Sequence, residues 1–247
     1  MRVHAATRAF ILVLCSAVPA LAQDPAAAPP PIWTFTGSAG LALTSGNSDT
    51  STVTLAYDLT YDPHQRNVVK SDGLFLRGRN EGEFTANRIS FNIRDEYTLT
   101  PRIFVFGQNQ YLKDQFKDID YLVAPTAGVG YRLIDTATTK FGVDSSLGVV
   151  WEKNPGLDAD ASGALAMSEK LTQTLTANTT LTQGFTGLWK MDDFGDALFT
   201  LGVSLAASMS TRTQLKFEVL DTYKNKPPVP TVQANDVAVL MSIVYKR

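Results

Sequence analysis

From residue 32 to the end of the chain, apolar and polar side chains alternate again and again with a period of two. The segment Lys140–Glu152, for example, places Phe141 and Trp151 on one face and Asp144 on the other. Only an extended strand puts every second side chain on the same face, so this pattern predicts strands with one apolar and one polar face. We count about twelve such segments: Ile32–Leu43, Thr52–Tyr61, Val68–Gly78, Arg88–Leu99, Arg102–Leu112, Tyr121–Leu133, Lys140–Glu152, Gly163–Ser168, Thr174–Thr186, Ala197–Ala207, Gln214–Tyr223 and Asp236–Lys246.

The length of these segments and of their connections indicates a membrane barrel. Globular strands are most often ~5–6 residues long, whereas a strand that crosses a bilayer needs ~9–11, and several segments here reach that length. Each predicted odd-numbered connection, such as Lys224–Asn235, is longer than each even-numbered one, such as Leu99–Arg102 or Glu169–Thr174. Outer-membrane barrels combine short periplasmic turns with longer extracellular loops, and closure leaves no sheet edge exposed to lipid. We therefore predict an all-β fold, a transmembrane antiparallel β-barrel of about 12 strands.

The first 31 residues do not follow the alternating pattern. Arg2 and Arg8 precede an apolar stretch and the small-residue sequence Ala20-Leu21-Ala22, which together predict a signal peptide over residues 1–22. A Pro/Ala-rich tether is predicted for residues 23–31, and the barrel for residues 32–247. Cleavage would remove the one cysteine and leave His64 as the one histidine, so the exported protein would fold without disulfides.

Charge and apolar runs exclude other classes of protein. Lys and Arg number 22 and Asp and Glu 24, so no basic surplus is present to attract nucleic acid. Beyond the leader the longest purely apolar run is Val237–Met241, far shorter than the ~20 residues of a spanning helix.

Few residues are suited to catalysis or to metal binding. His64 falls in a predicted periplasmic turn, so a Ser–His site at the outer rim, as in lipid-modifying barrels, is not available. We predict no catalytic residue, no cofactor and no Cys/His metal site. Three loop acids are weaker candidates for binding a divalent cation, which prefers oxygen ligands: Asp114, Asp118 and Asp120.

The polar faces of the strands carry charges of both signs near their middles. In a barrel with apolar side chains toward lipid, these charges face the lumen. The candidates for lumen-facing charges are Arg88, Arg94, Glu96, Asp144, Lys216 and Glu218. Two interpretations remain open: the charges set the ion preference of a pore, or they neutralise one another and close the barrel.

Short motifs along the chain resemble those of a known family. They are Leu43–Thr50 (LTSGNSDT), Tyr111–Asp114 (YLKD), Gly128–Tyr131 (GVGY), Leu165–Glu169 (LAMSE), Tyr223–Pro228 (YKNKPP) and Asn235-Asp236. In order and spacing they resemble the family called domain of unknown function 481, the YdiY-like salt-induced outer membrane proteins. The resemblance covers residues 33–247 and implies an outer-membrane barrel without an assigned activity.

We therefore predict a non-enzymatic β-barrel of the bacterial outer membrane that supports envelope integrity or small-solute passage, in osmotic or salt stress. Its expected partners are outer-membrane lipid and the outer-membrane insertion machinery, with small solutes or divalent cations as ligands and no nucleic acid. Two alternatives stay open. One is a lipid-modifying barrel enzyme, and the other is a soluble periplasmic β-protein that binds an apolar ligand.

Overall fold

The computed structural model describes residues 31–44, 50–80, 83–228 and 232–246. They form a closed barrel of twelve antiparallel strands, in which β1 pairs with β12 and every other strand with its neighbours in the chain. The strands are β1 (Trp33–Thr44), β2 (Thr50–Tyr61), β3 (Asn67–Asn80), β4 (Glu83–Thr98), β5 (Ile103–Asp114), β6 (Ile119–Asp135), β7 (Thr139–Lys153), β8 (Asp160–Thr176), β9 (Thr179–Lys190), β10 (Ala197–Ser208), β11 (Thr213–Lys224) and β12 (Asn235–Lys246).

The predicted twelve-strand antiparallel barrel is confirmed. The predicted signal peptide 1–22 and nearly all of the predicted tether 23–31 lie outside the described residues. The described residues contain one helical segment, the 3-10 turn Gln115–Lys117, and none of them forms a helix long and apolar enough to span a membrane.

The barrel has two rims, which we name by what they carry. The terminal rim holds the start of β1, the end of β12 and the connections 62–66, 99–102, 136–138, 177–178 and 209–212. The loop rim holds the other ends of the strands, with the described connections 115–118, 154–159 and 191–196 and the described residues 225–228 and 232–234.

Two details of the predicted connections are wrong. Residues 81–82 alone separate β3 from β4. This connection at the loop rim is shorter than the turn 62–66 at the terminal rim, so the connections of the loop rim are not all longer than those of the terminal rim. The predicted turn Glu169–Thr174 lies inside β8, and the chain turns at 177–178 instead. The cause is Glu169, which faces outward and accepts a hydrogen bond from Gln183 of β9, so that both faces of β8 are polar there.

The wall of the barrel has an apolar outer face and a polar inner face. Large apolar side chains lie exposed on the outside, among them Leu41 and Met241, each 65% exposed. Aromatic rings stand at both rims: Trp33 packs on Tyr61 at the terminal rim, with ring centroids 4.5 Å apart, and Trp151 is exposed near the loop rim. Such a belt is suited to contact with lipid chains.

The interior is not uniformly polar. A buried apolar cluster fills part of the lumen toward the loop rim, and it consists of Leu112, Ile119, Leu122, Ala124, Val150, Ala164, Ala166 and Leu188, with Leu198 packed against it. The barrel therefore has a packed core inside it as well as an apolar face outside.

Candidate functional site

Contacts between strands that are not neighbours show which side chains point into the lumen. Arg88 of β4 donates to the Thr222 hydroxyl of β11, and Arg94 of β4 donates to Asp144 of β7 at 2.9 Å. Side chains alternate along a strand, so Glu96 shares the inward face of Arg94. Lys216 and Glu218 share the inward face of Thr222. The structure thus places all six candidates on the inward face.

Near the loop rim, charged side chains form a buried layer across the lumen. Lys224 of β11 lies 2.7 Å from Glu152 of β7, and these two side chains are only 3% and 2% exposed. Lys190 of β9 lies 3.1 Å from the other oxygen of Glu152 and 2.9 Å from Asp196. A charge removed from water is costly unless it is paired, so each of these groups depends on the others.

The same layer includes a lysine that reaches in from a connection. Lys117 of the 3-10 turn is 0% exposed, and its Nζ lies 2.8 Å from a carboxylate oxygen of Asp236. It also donates to the backbone carbonyls of Gln233 and Ala234, at 3.0 and 2.8 Å. This lysine ties the β5–β6 connection to the β11–β12 connection, which stands on the opposite side of the twelve-strand ring. We call Lys117 and its three partners the latch.

The apolar cluster lies directly beneath this charged layer. Leu112, Val150 and Leu188 precede Asp114, Glu152 and Lys190 by two residues on the same inward faces. At roughly 3.3 Å per residue, the two layers are about 7 Å apart along each strand. The buried ions and the buried apolar layer are therefore only two residues apart along each strand.

Toward the terminal rim the inward charges are also paired, but several of them keep contact with water. Glu96 accepts from Arg94 at 2.9 Å and from Lys70 at 2.7 Å, and the Lys70 side chain is 45% exposed. Arg94 also lies 3.5 Å above the centre of the Phe106 ring. Lys216 and Glu218, 2.8 Å apart, are each 26% exposed. The Glu96 and Arg94 side chains are themselves only 7% and 11% exposed, so the exposed charges of this half are Lys70, Lys216 and Glu218.

The loop acids do not converge on a common point. The Asp114 carboxylate lies 3.6 Å from Arg88 and is buried. Asp118, with φ of 50°, adopts a left-handed turn conformation, and its carbonyl accepts from Asn154 at 2.7 Å. Within the described ranges, no three His, Cys, Asp or Glu side chains are grouped so as to hold a metal ion. His64 lies in the turn 62–66, where its backbone N–H donates to Asp62 at 2.8 Å.

An exposed ion pair lies between two loops at the loop rim. Lys226 of the β11–β12 connection contacts Asp193 of the β9–β10 connection. This hydrogen bond, together with one from the Gly195 backbone, lowers the pKa of Asp193. The pair joins two neighbouring loops at their exposed surface.

Sequence reasoning missed most of the buried layer. The alternation does not mark Glu152 as a candidate, and it places Lys224 in a connection, although Lys224 is the last residue of β11. The signal was present, because Glu152 has the same parity as Asp144 and Lys224 the same parity as Lys216. Lys117 could not be found in this way, because it lies outside any strand.

The closed antiparallel ring with an apolar outer belt and a charged interior is the architecture of outer-membrane porins and channels. The chain is similar to the NanC porin, with 10% sequence identity over 87% of this chain and 99% of that one and a TM-score of 0.52. It is also similar to the COG4313 outer membrane channel from Pseudomonas putida F1, with 13% identity over 92% of this chain and 99% of that one and a TM-score of 0.49. None of the curated proteins compared with this chain matches it.

The family model described as "Protein of unknown function, DUF481" matches residues 37–246. This match extends over nearly the whole barrel, from β1 to β12. The chain belongs to this family, and the resemblance seen in the short motifs is confirmed.

Proposed function

We propose that this protein is a non-enzymatic barrel of the bacterial outer membrane that passes small hydrophilic solutes, and that the structure corresponds to its closed state. The observation that supports a passage is the set of inward charges toward the terminal rim that remain exposed, namely Lys70, Lys216 and Glu218. The observation that supports closure is the buried layer of Glu152, Lys224 and the latch at the loop rim. In this proposal the terminal rim faces the periplasm.

The latch is the proposed gate. It holds the β5–β6 connection inward through one ammonium group and three oxygens. Opening the passage then requires this connection to leave the lumen, with Lys117 exchanging its protein partners for water. The buried pair Glu152–Lys224 lies on barrel strands and need not move as far.

Single-channel recording from the purified protein in a planar bilayer tests the proposal. We expect discrete but rare steps from the wild type, and at least about tenfold more frequent steps from Lys117→Met, because one lost charged contact corresponds to about 1.5–3 kcal/mol. Lys140→Met is the matched control, since Lys140 pairs with Asp135 on exposed side chains at the terminal rim, and it should behave as the wild type. Stable insertion without steps in all three proteins would contradict the proposal.

That outcome would favour the second candidate function, a closed barrel that supports envelope integrity. The same cross-lumen ion layer is its supporting observation, because a layer that never opens braces opposite walls of the barrel. The proposed link to osmotic or salt stress rests on the family resemblance, and growth of a deletion strain in high salt tests it.

A further inference from the structure

The outer wall carries a groove that the channel proposal does not use. It lies on the outward faces of β5 to β9, has a volume of about 560 Å³ and is lined mainly by Ile103, Val129, Tyr131, Val143, Met167 and Phe185. Its floor includes Ser145, a small side chain among large ones. We call this surface the wall groove.

A cationic group stands where the wall groove meets the terminal rim. Arg102, in the turn 99–102, is exposed and directly precedes Ile103 of the lining. Its guanidinium donates to the Tyr131 hydroxyl at 3.4 Å, which holds it on the outer side of the wall. The same hydrogen bond raises the pKa of Arg102, so this group stays charged.

The outward polar side chains that line the wall groove are Ser145 and Glu169. Glu169 accepts a hydrogen bond of 2.7 Å from Gln183 of the next strand. The remaining surface of the wall groove is apolar, and side chains such as Met167 and Val129 are about half exposed. A groove with one charged end at the membrane interface and an apolar body matches an anionic headgroup followed by a hydrocarbon chain.

We infer that the wall groove binds one phospholipid of the leaflet at the terminal rim, with its phosphate at Arg102 and Tyr131 and an acyl chain along the apolar lining. Charge complementarity selects this occupant, because a guanidinium pairs in a bidentate manner with phosphate oxygens. Tyr131 adds an interfacial ring with a polar tip. The inference rests on the proposed outer-membrane location but not on conduction.

The inference is tested by native mass spectrometry of the purified, delipidated protein in detergent, titrated with phosphatidylglycerol. We expect the wild type to retain one lipid at ratios where Ser145→Phe retains none, because the new ring fills the wall groove. Arg102→Gln should weaken retention about tenfold, since a hydrogen bond to a charged group is lost. Heat-dependent gel mobility shows for every variant that the barrel is folded.

Matched variants separate a specific site from general contact with lipid. Ala207→Phe adds a ring to the exposed outer face of β10, and Arg212→Gln removes an exposed arginine from another turn at the terminal rim; both should retain the lipid as the wild type does. Equal loss of the retained lipid in Ser145→Phe and Ala207→Phe would overturn the inference. A wild-type dimer that Ser145→Phe abolishes would also overturn it, because the wall groove would then be occupied by a second copy of the chain. A folded wild-type barrel that retains no lipid would contradict the proposed lipid site but not the proposed function. A chain that fails to enter membranes would contradict the proposed outer-membrane location.

Discussion

The two halves of the lumen carry similar charges in different surroundings. At the loop rim, Glu152 and Lys224 are almost without contact with water and lie above a dry apolar cluster. At the terminal rim, Lys216 and Glu218 form an ion pair of nearly the same length but remain a quarter exposed. The comparison teaches that burial, rather than the distance between the charges, decides what an ion pair does here. The buried pairs join opposite walls of the barrel, whereas the pair Lys216–Glu218 keeps contact with solvent.

Removal of one carboxylate from each half of the lumen should give the largest difference in the free energy of unfolding. Glu152→Gln removes one of the two carboxylates that the buried lysines share, while Asp196 stays 3.3 Å from Lys224 and 2.9 Å from Lys190. We therefore expect a loss of about 3 kcal/mol in the free energy of unfolding, at the lower end of the range for breaking a buried ion pair. Glu218→Gln removes the corresponding charge from a hydrated pair and should cost about 0–1 kcal/mol. Urea unfolding of the two variants in detergent, followed by tryptophan fluorescence, measures both values. Similar losses in the two variants would show that the halves do not differ as described.

Two inward glycines test a second comparison, between a tightly packed and an open part of the barrel wall. A methyl group at Gly128 of β6 would overlap the Ser145 carbonyl oxygen of β7, whereas at Gly202 of β10 the nearest atom, an oxygen of Glu218, is 3.7 Å away. We expect Gly128→Ala to destabilise the barrel by about 1–3 kcal/mol through overpacking. Gly202→Ala should stay within about 1 kcal/mol of the wild type. A neutral Gly128→Ala in the same urea experiment would mean that β6 and β7 can move apart.

The smallest expected effect concerns the exposed pair Asp193–Lys226 between two loops at the loop rim. Because the folded-state pKa of Asp193 is lowered, its contribution to stability is present above the unfolded-state pKa and is lost as pH falls through the folded-state value. Lys226→Ala should raise the pKa of Asp193 toward its ordinary value, as measured by carboxylate NMR titration.

Lys226→Ala should not change how the free energy of unfolding depends on pH between about pH 6 and pH 8, because Asp193 is ionised there in the folded and the unfolded state. Lys140→Ala, a matched change at the terminal rim, should leave the titration of Asp193 as it is. An Asp193 titration that does not respond to Lys226→Ala would exclude the loop-to-loop contact.

The alternation of apolar and polar residues was sufficient to predict twelve strands and the inward direction of Arg94 and Lys216. It failed at β8, because Glu169 and Gln183 bond to each other on the outer face and make a continuous strand resemble a turn. It also failed for Lys117, because the direction of a residue in a connection depends on what lies across the barrel mouth. Both failures concern partners on other strands or connections.

The sequence by itself determined that this chain is a barrel with an apolar outside and a charged inside, since a period of two assigns every side chain of a strand to one of two faces. Only the tertiary structure decided which charges meet. Glu152 and Lys224 are 72 residues apart in the chain, and their contact exists because the closed ring brings β7 and β11 within reach of each other across the lumen. Pattern along a strand fixes the face of a residue, and closure of the sheet fixes its partner.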